Sequence, residues 1–328
     1  MKYKYGIGVM SKNIVDACIE YANENDKHLI FIPSRRQVDY IGGYVNHWTT
    51  EVFSKYVRDR SSNILLKRDH GGPGQGLHHD DGLTSLIHDA NYFDAIHIDP
   101  WKISKSFKEG CINTRNLIDH CFDINNNIIY EVGTEESIFK YESHQLEELI
   151  EYLKKHLSVE KFDRIKFAVI QSGTSLKETK NTGSYDKQRL LDMVSVCKKY
   201  NLLSKEHNGD YLPVFLIFEK FECGLDSINI APEFGQIETK TYLQEINNND
   251  LLFETFFDIC HESKKWEKWV NKTFDPFTNK KQLINICGHY VLSTNSFVDQ
   301  IKKNVRFDID NIIKNNIKDK LKELYGKD

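Results

Sequence analysis

Residues 63–76 read Asn63-Ile64-Leu65-Leu66-Lys67-Arg68-Asp69-His70-Gly71-Gly72-Pro73-Gly74-Gln75-Gly76. A short apolar run stops abruptly in charged and imidazole side chains and then in glycines. Runs of this length with little alternation suit strands buried on both faces, as in a parallel sheet. The same design recurs along the chain. Residues 63–67 are one of eight such runs, the others being 6–10, 28–33, 95–98, 127–132, 165–170, 202–205 and 227–230. Helix-like stretches lie between them. Ile14, Val15, Cys18, Ile19 and Tyr21 fall near helical spacing, and Leu146, Leu149, Ile150 and Leu153 form one stripe within 143–157. Ser143 and Glu147 stand near that helix's start, where an oxygen acceptor and negative charge are favoured.

Eight strands alternating with helices, at roughly 30-residue spacing, predict a (β/α)8 TIM barrel. An open doubly wound sheet is the rival. Gly6 and Gly8 match part of a dinucleotide loop, but no third glycine opens the next helix. From about 241 to 328 the chain turns helical in composition, rich in Lys, Asn and aromatics. That stretch reads as the last barrel helix plus a helical C-terminal extension, so 1–328 reads as a single domain.

Hydrophobic residues make up 40% of the 328, enough for a barrel-sized core. The net charge of -4 gives no reason to expect nucleic acid, so an anionic substrate would need a local basic pocket. No run approaches the roughly 18 apolar residues of a membrane span, and residues 1–13 lack the apolar core of a signal peptide. Seven scattered cysteines, an odd number with no CxxC, fit reduced thiols in a cytoplasmic protein.

The chemistry gathers after the strand ends, where barrel enzymes keep their sites. His70, Glu131 and His207 offer two imidazoles and a carboxylate, each just past a different strand, which suits a divalent transition metal with positions left open for substrate. Asp69 sits beside His70, is expected to point elsewhere, and is a candidate general acid or base. Glu135 is a second candidate catalytic carboxylate. Asp99 could cap the following helix or bind substrate. His78, His79, Asp80 and Asp81 read as a solvated helix start. Arg35, Arg36, Lys102 and Lys205 fall just beyond strand ends and could hold an anion. If the second strand continued through Arg35 and Arg36, only one of the two could face inward, because adjacent side chains alternate. The start of the helix after the eighth strand is a further natural phosphate binder.

Taken in order, these motifs resemble the Z-type subunit of tagatose-bisphosphate aldolase. The set runs Gln37…Gly42-Gly43-Tyr44, Asp69-His70-x-Gly-Pro, Ile96-His97-Ile98-Asp99, Glu131-Val132-Gly133-Thr134-Glu135, Glu206-His207-x-x-Asp210-Tyr211, then Asn229-Ile230-x-Pro232 and Trp266-Glu267-Lys268-Trp269. The resemblance spans most of the chain and implies a barrel akin to class II aldolases. It implies that Asp69 transfers a proton, that His70 and His207 bind metal, and that Glu131 matches the family's strand-five glutamate. The catalytic members carry a ligand histidine after strand six, where this sequence has Gln171, a residue able to coordinate weakly or orient a substrate hydroxyl. Arg35, Arg36, His47-Trp48 and the Gly-Pro-Gly-Gln-Gly run depart from the family pattern.

The resulting expectation is a metal-dependent aldolase or epimerase acting on a phosphorylated or acidic ketose. Zinc is the expected ion, with Mn2+, Co2+ or Mg2+ as alternatives. His70, Glu131 and His207 are its ligands, Asp69 and Glu135 are catalytic, and Arg35, Asp99, Lys102, Gln171, Lys205 and Asn229 contact the substrate. The alternative is a non-catalytic barrel that stabilises a separate aldolase chain. A homo-oligomer or such a partner chain is expected, and neither nucleic acid nor membrane.

Overall fold

A computed structural model describes residues 3–326. Its eight parallel strands close into a barrel. They are β1 Tyr5–Ile7, β2 Leu29–Phe31, β3 Ile64–Gly71, β4 Ala95–Ile98, β5 Ile129–Val132, β6 Ile165–Ile170, β7 Leu203–Glu206 and β8 Ser227–Ile230. Each pairs with its sequence neighbours, and β8 returns to β1 with Asn229 opposite Gly6. This is a (β/α)8 barrel, and every strand coincides with one of the apolar runs. β3 is the exception in length: it continues through Asp69 and His70 to Gly71, so these two stand within the strand and not in the loop after it. A small hairpin, 176–177 with 180–181, follows β6 and was not anticipated.

The helices form for reasons that are local and visible. Helix α1, Lys12–Glu24, starts where the Ser11 hydroxyl accepts from the Ile14 N–H. The helix Ser143–His156 opens on a reciprocal cap between Glu142 and Gln145, and buries Leu146, Leu149, Ile150 and Leu153 against the sheet. Each fully buried Leu or Ile of this kind stabilises the fold by about 1.5–3 kcal/mol. Beyond β8 the chain continues as the helix Pro232–Glu245 and four further α-helices, ending in Ile309–Tyr325. Ile309, Ile313, Ile317, Leu321 and Leu324 make one stripe of that last helix and are buried. It packs along α1 and Pro232–Glu245, and Lys314 and Lys318 pair with Glu20 of α1. The last helix thus covers the outer face of the helices that flank β1 and β8. Among the described residues no helix is long and apolar enough to cross a membrane, and all seven cysteines are free thiols.

Alternation along β3 divides its charges. Lys67 points into the barrel and bonds Glu131 of β5. Arg68 points outward, where its guanidinium takes both oxygens of Asp89 at 2.8 and 2.6 Å and the carbonyls of Pro33 and Val38. Both side chains of the Arg68–Asp89 pair are fully buried. Burial pushes the Asp89 carboxyl up even with Arg68 beside it, so the intact pair adds little net stability. Breaking it is another matter. Asp89→Ala leaves a buried guanidinium without its counter-ion and should cost about 3–5 kcal/mol in equilibrium denaturation. The double change Arg68→Met with Asp89→Leu should recover most of that loss; equal losses in both variants would mean the pair does not carry the energy.

Candidate metal centre

The floor of the barrel mouth is set by a defect in β3. Its pairing with β4 shifts register between Arg68 and Gly71, and His70 adopts φ 49°, in the left-handed region. A bulge of this kind re-aims a side chain. Asp69 already faces inward by alternation, and the bulge turns His70 inward as well. The expectation that Asp69 points away from His70 is therefore corrected: the Asp69 carboxylate lies 3.7 Å from His70 Nε2 and 3.8 Å from His207 Nδ1.

Three imidazoles face that carboxylate: His70 on β3, His97 on β4 and His207 just past β7. Their ring centroids lie 4.8–5.2 Å apart. Each has one nitrogen held by an oxygen acceptor. His70 Nδ1 meets Asp99 at 2.5 Å, His97 Nε2 meets the Gly133 carbonyl at 2.9 Å, and His207 Nε2 meets Glu131 at 2.7 Å. A carbonyl or carboxylate oxygen can only accept, so those nitrogens carry hydrogen and the opposite nitrogens are the ones able to coordinate. Orienting partners of this type fix the tautomer of metal-binding histidines. The coordinating atoms of Asp69, His70, His97 and His207 all lie within 4.8 Å of one another. His207 Nδ1 is buried without a hydrogen-bond partner, and His97 Nδ1 takes only a long 3.3 Å bond from the His70 backbone. Two imidazole nitrogens aimed at a carboxylate, one of them unsatisfied, fit a divalent ion such as Zn2+.

The electrostatics agree with this chemistry. Burial alone disfavours a charged His70, but Asp69 and Asp99 overcome it and raise its pKa to about 10. Burial lowers His97 to about 4, keeping it neutral and ready to coordinate. Burial opposes the charge of Glu131 too, yet Lys67 and Lys205 hold it well below the usual carboxylate range.

Glu131, expected as a ligand, stands behind His207: one oxygen takes His207 and the other takes Lys67. The place beside His70 and His207 is filled by His97, which sequence reasoning quoted and did not assign. Its signal was present, because His97 lies on β4 two residues before Asp99, the spacing at which strand side chains return to one face. Glu135 lines the mouth and accepts from the Ser137 hydroxyl. Asn229 Nδ2 approaches Asp69 at 3.5 Å, and a Cβ at Gly6 would meet Asn229 Oδ1 at 2.2 Å, so a side chain there would displace Asn229 from Asp69.

Four proposed substrate contacts are corrected. Arg35 is buried and fully taken up by Asp39, Asp80 and the Gly72 carbonyl. β2 ends before it, so strand alternation does not apply, and Arg36 is the arginine lining the mouth. Asp99 is buried, and its carboxylate orients His70 and accepts from the Trp101 N–H. Gln171 donates its amide hydrogens to the carbonyls of Thr134 and Phe139, and its oxygen accepts from the Tyr141 N–H and Arg189, leaving nothing for a substrate or an ion. Lys205 is sealed inside the barrel 4.0 Å from Glu131, and burial followed by Lys67 hold it well below the ordinary lysine range. Lys102 does line the mouth.

No protein-family profile matches the sequence, and no curated protein matches it. Solved structures do match the fold. One is described as a probable tagatose 6 phosphate kinase from Sinorhizobium meliloti 1021, at 15% identity and TM-score 0.76, covering 98% of this chain and 99% of that one. Another is the YdjI aldolase from Escherichia coli K12, at 11% identity and TM-score 0.54, covering 92% and 93%. A third is fructose-bisphosphate aldolase from Campylobacter jejuni, at 12% identity and TM-score 0.58, covering 92% and 90%. At these identities the likeness is one of fold. The neighbours are nonetheless of the kinds that the motif order suggested.

Because His70 holds a proton below about pH 10, an ion that coordinates it must displace that proton. Calorimetric titration with Zn2+ at pH 7, in buffers of different ionisation enthalpy, should show one ion bound per chain and about one proton released. Affinity should rise with pH up to about 10. Glu131→Gln should weaken binding about 10–100-fold through His207, and zinc binding unchanged in His97→Ala would contradict the ligand set.

Proposed function

We propose that this barrel is a divalent-metal-dependent lyase acting on a phosphorylated ketose, with the ion held by His70, His97 and His207. The observation that carries the reading is the orientation of the three imidazoles. Each is fixed from behind by Asp99, the Gly133 carbonyl or Glu131, and each has its other ring nitrogen in one cluster with the Asp69 carboxylate. A barrel that served only to stabilise another chain would have no use for that arrangement. A bound divalent ion would supply polarisation of a carbonyl and a neighbouring hydroxyl.

The chain's own groups supply the rest. The cavity beside Asp69 and His70 has a volume of about 340 Å³, room for a sugar phosphate. Asp69 is held as a carboxylate, with burial opposed by His70, His207 and His97. It is positioned to take a proton from a substrate hydroxyl as the carbon–carbon bond breaks to a carbonyl on one fragment, and to deliver that proton to the enediolate carbon of the other. Asn229 steadies the Asp69 oxygen that faces His207. Glu135 lines the same cavity as a second carboxylate. That second group favours one further reading, epimerisation, in which one carboxylate removes a proton and the other delivers one. The two readings separate in D2O: an epimerase would incorporate deuterium without releasing a shorter product.

Asp69→Asn should lower kcat at least 100-fold on a ketose phosphate that the enzyme turns over. Its zinc affinity should stay within a few-fold of the parent. A variant that keeps its rate would remove Asp69 from proton transfer, and one that loses zinc would make it a ligand.

A further inference from the structure

The helix start after β8, a common phosphate site in barrels, is closed in this chain. The Asp210 carboxylate accepts from the backbone N–H of Ala231 at 2.9 Å and of Glu233 at 2.8 Å. These two donors are already taken and are not offered to an incoming anion. An anionic substrate group must therefore sit elsewhere in the mouth.

The cavity that Asp69 and His70 line is also lined by three cations. Arg36 follows β2, Lys102 follows β4, and Lys268 reaches in from the C-terminal extension. None of the three is ion-paired among the described residues; Lys102 donates only to the Gly74 carbonyl. The Lys268 ammonium is placed by two rings, 4.6 Å from the Trp269 centroid and 5.1 Å from that of Tyr290. The protein around it, then Arg36, Lys265 and Lys102, lower its pKa to about 8. Arg36 and Lys268 also line an adjoining cavity of about 330 Å³, where Lys264 and Lys265 join them and Glu267 is the one lining carboxylate.

We propose that Arg36, Lys102 and Lys268 form the phosphoryl-binding subsite of the mouth, so that the C-terminal extension supplies part of the substrate pocket. The inference rests on the reading of the site as one for a phosphorylated ketose and names where its phosphate sits. A phosphate monoester is close to a dianion at neutral pH, and three cations suit it better than they suit a single carboxylate. The cavity thereby offers cations for a phosphate as well as Asp69 and His70 for the sugar. The phosphate is held on these cations while the sugar's carbonyl end is directed to Asp69 and the imidazoles.

The test uses the full chain after treatment with a chelator, with inorganic phosphate as the probe and 31P NMR titration as the readout. Phosphate should bind, and Arg36→Ala and Lys268→Ala should each weaken it at least tenfold, while Lys155→Ala on an exposed helix face should not change it. Should Arg36→Ala fail to fold, as judged by circular dichroism, Lys268→Gln on its exposed side chain carries the same test. Absence of phosphate binding, or affinities within twofold of the parent in the folded variants, would overturn the subsite. Zinc binding measured separately keeps the two claims apart. Phosphate bound without zinc affinity would sink the metal reading alone, and zinc bound with indifferent phosphate would sink the subsite alone.

Discussion

His70 stands in left-handed backbone, φ 49°, at a bulge near the end of β3. A non-glycine residue held there costs on the order of 1–3 kcal/mol and persists only where its surroundings over-determine it. Here they do. The ring is fixed by Asp99 at 2.5 Å, and the backbone N–H reaches His97 Nδ1 at 3.3 Å. In regular strand geometry Asp69 and His70 would face opposite sides of the sheet. The bulge is what lets two consecutive residues serve one site, and the placement of His97, His207 and Asn229 has meaning only around that pair.

A second constraint lies beneath the mouth. Lys67, Lys205 and Glu131 share the barrel interior with no exposure to solvent. Lys67 and Lys205 keep Glu131 ionised, and ionised Glu131 fixes His207 in the tautomer whose free nitrogen faces the cavity. A buried charge cluster is weak evidence of stability. In this barrel its consequence is chemical, since it leaves an unsatisfied ligand atom of His207 facing Asp69. Arg36, Lys102 and Lys268 line the cavity beside Asp69 and His70.

The barrel was legible because both-face burial leaves a signature that needs no tertiary knowledge: eight apolar runs, each ending in polar residues. The site was legible in part. Positions just past strand ends pointed to His70, His207, Asp69, Glu135 and Lys102 at the mouth, and strand alternation could have added His97. Gln171 and Arg35 misled because their partners are remote in sequence. Arg189 and Phe139 consume the amide of Gln171, and Asp80 consumes the guanidinium of Arg35. Lys268 could not be read at all, because nothing local says that a residue almost 40 positions beyond β8 folds back over the mouth. The left-handed turn at His70 was equally silent, since a bulge is set by pairing with β4 and not by the residue itself.

The central claim is that three imidazoles converge on one ion. X-ray absorption at the zinc edge of the zinc-loaded chain tests it directly, because imidazole rings leave a distinctive multiple-scattering pattern. The account predicts three imidazole nitrogens at about 2.0–2.1 Å with the remaining positions held by oxygen. A spectrum fitted by one imidazole or none would contradict it.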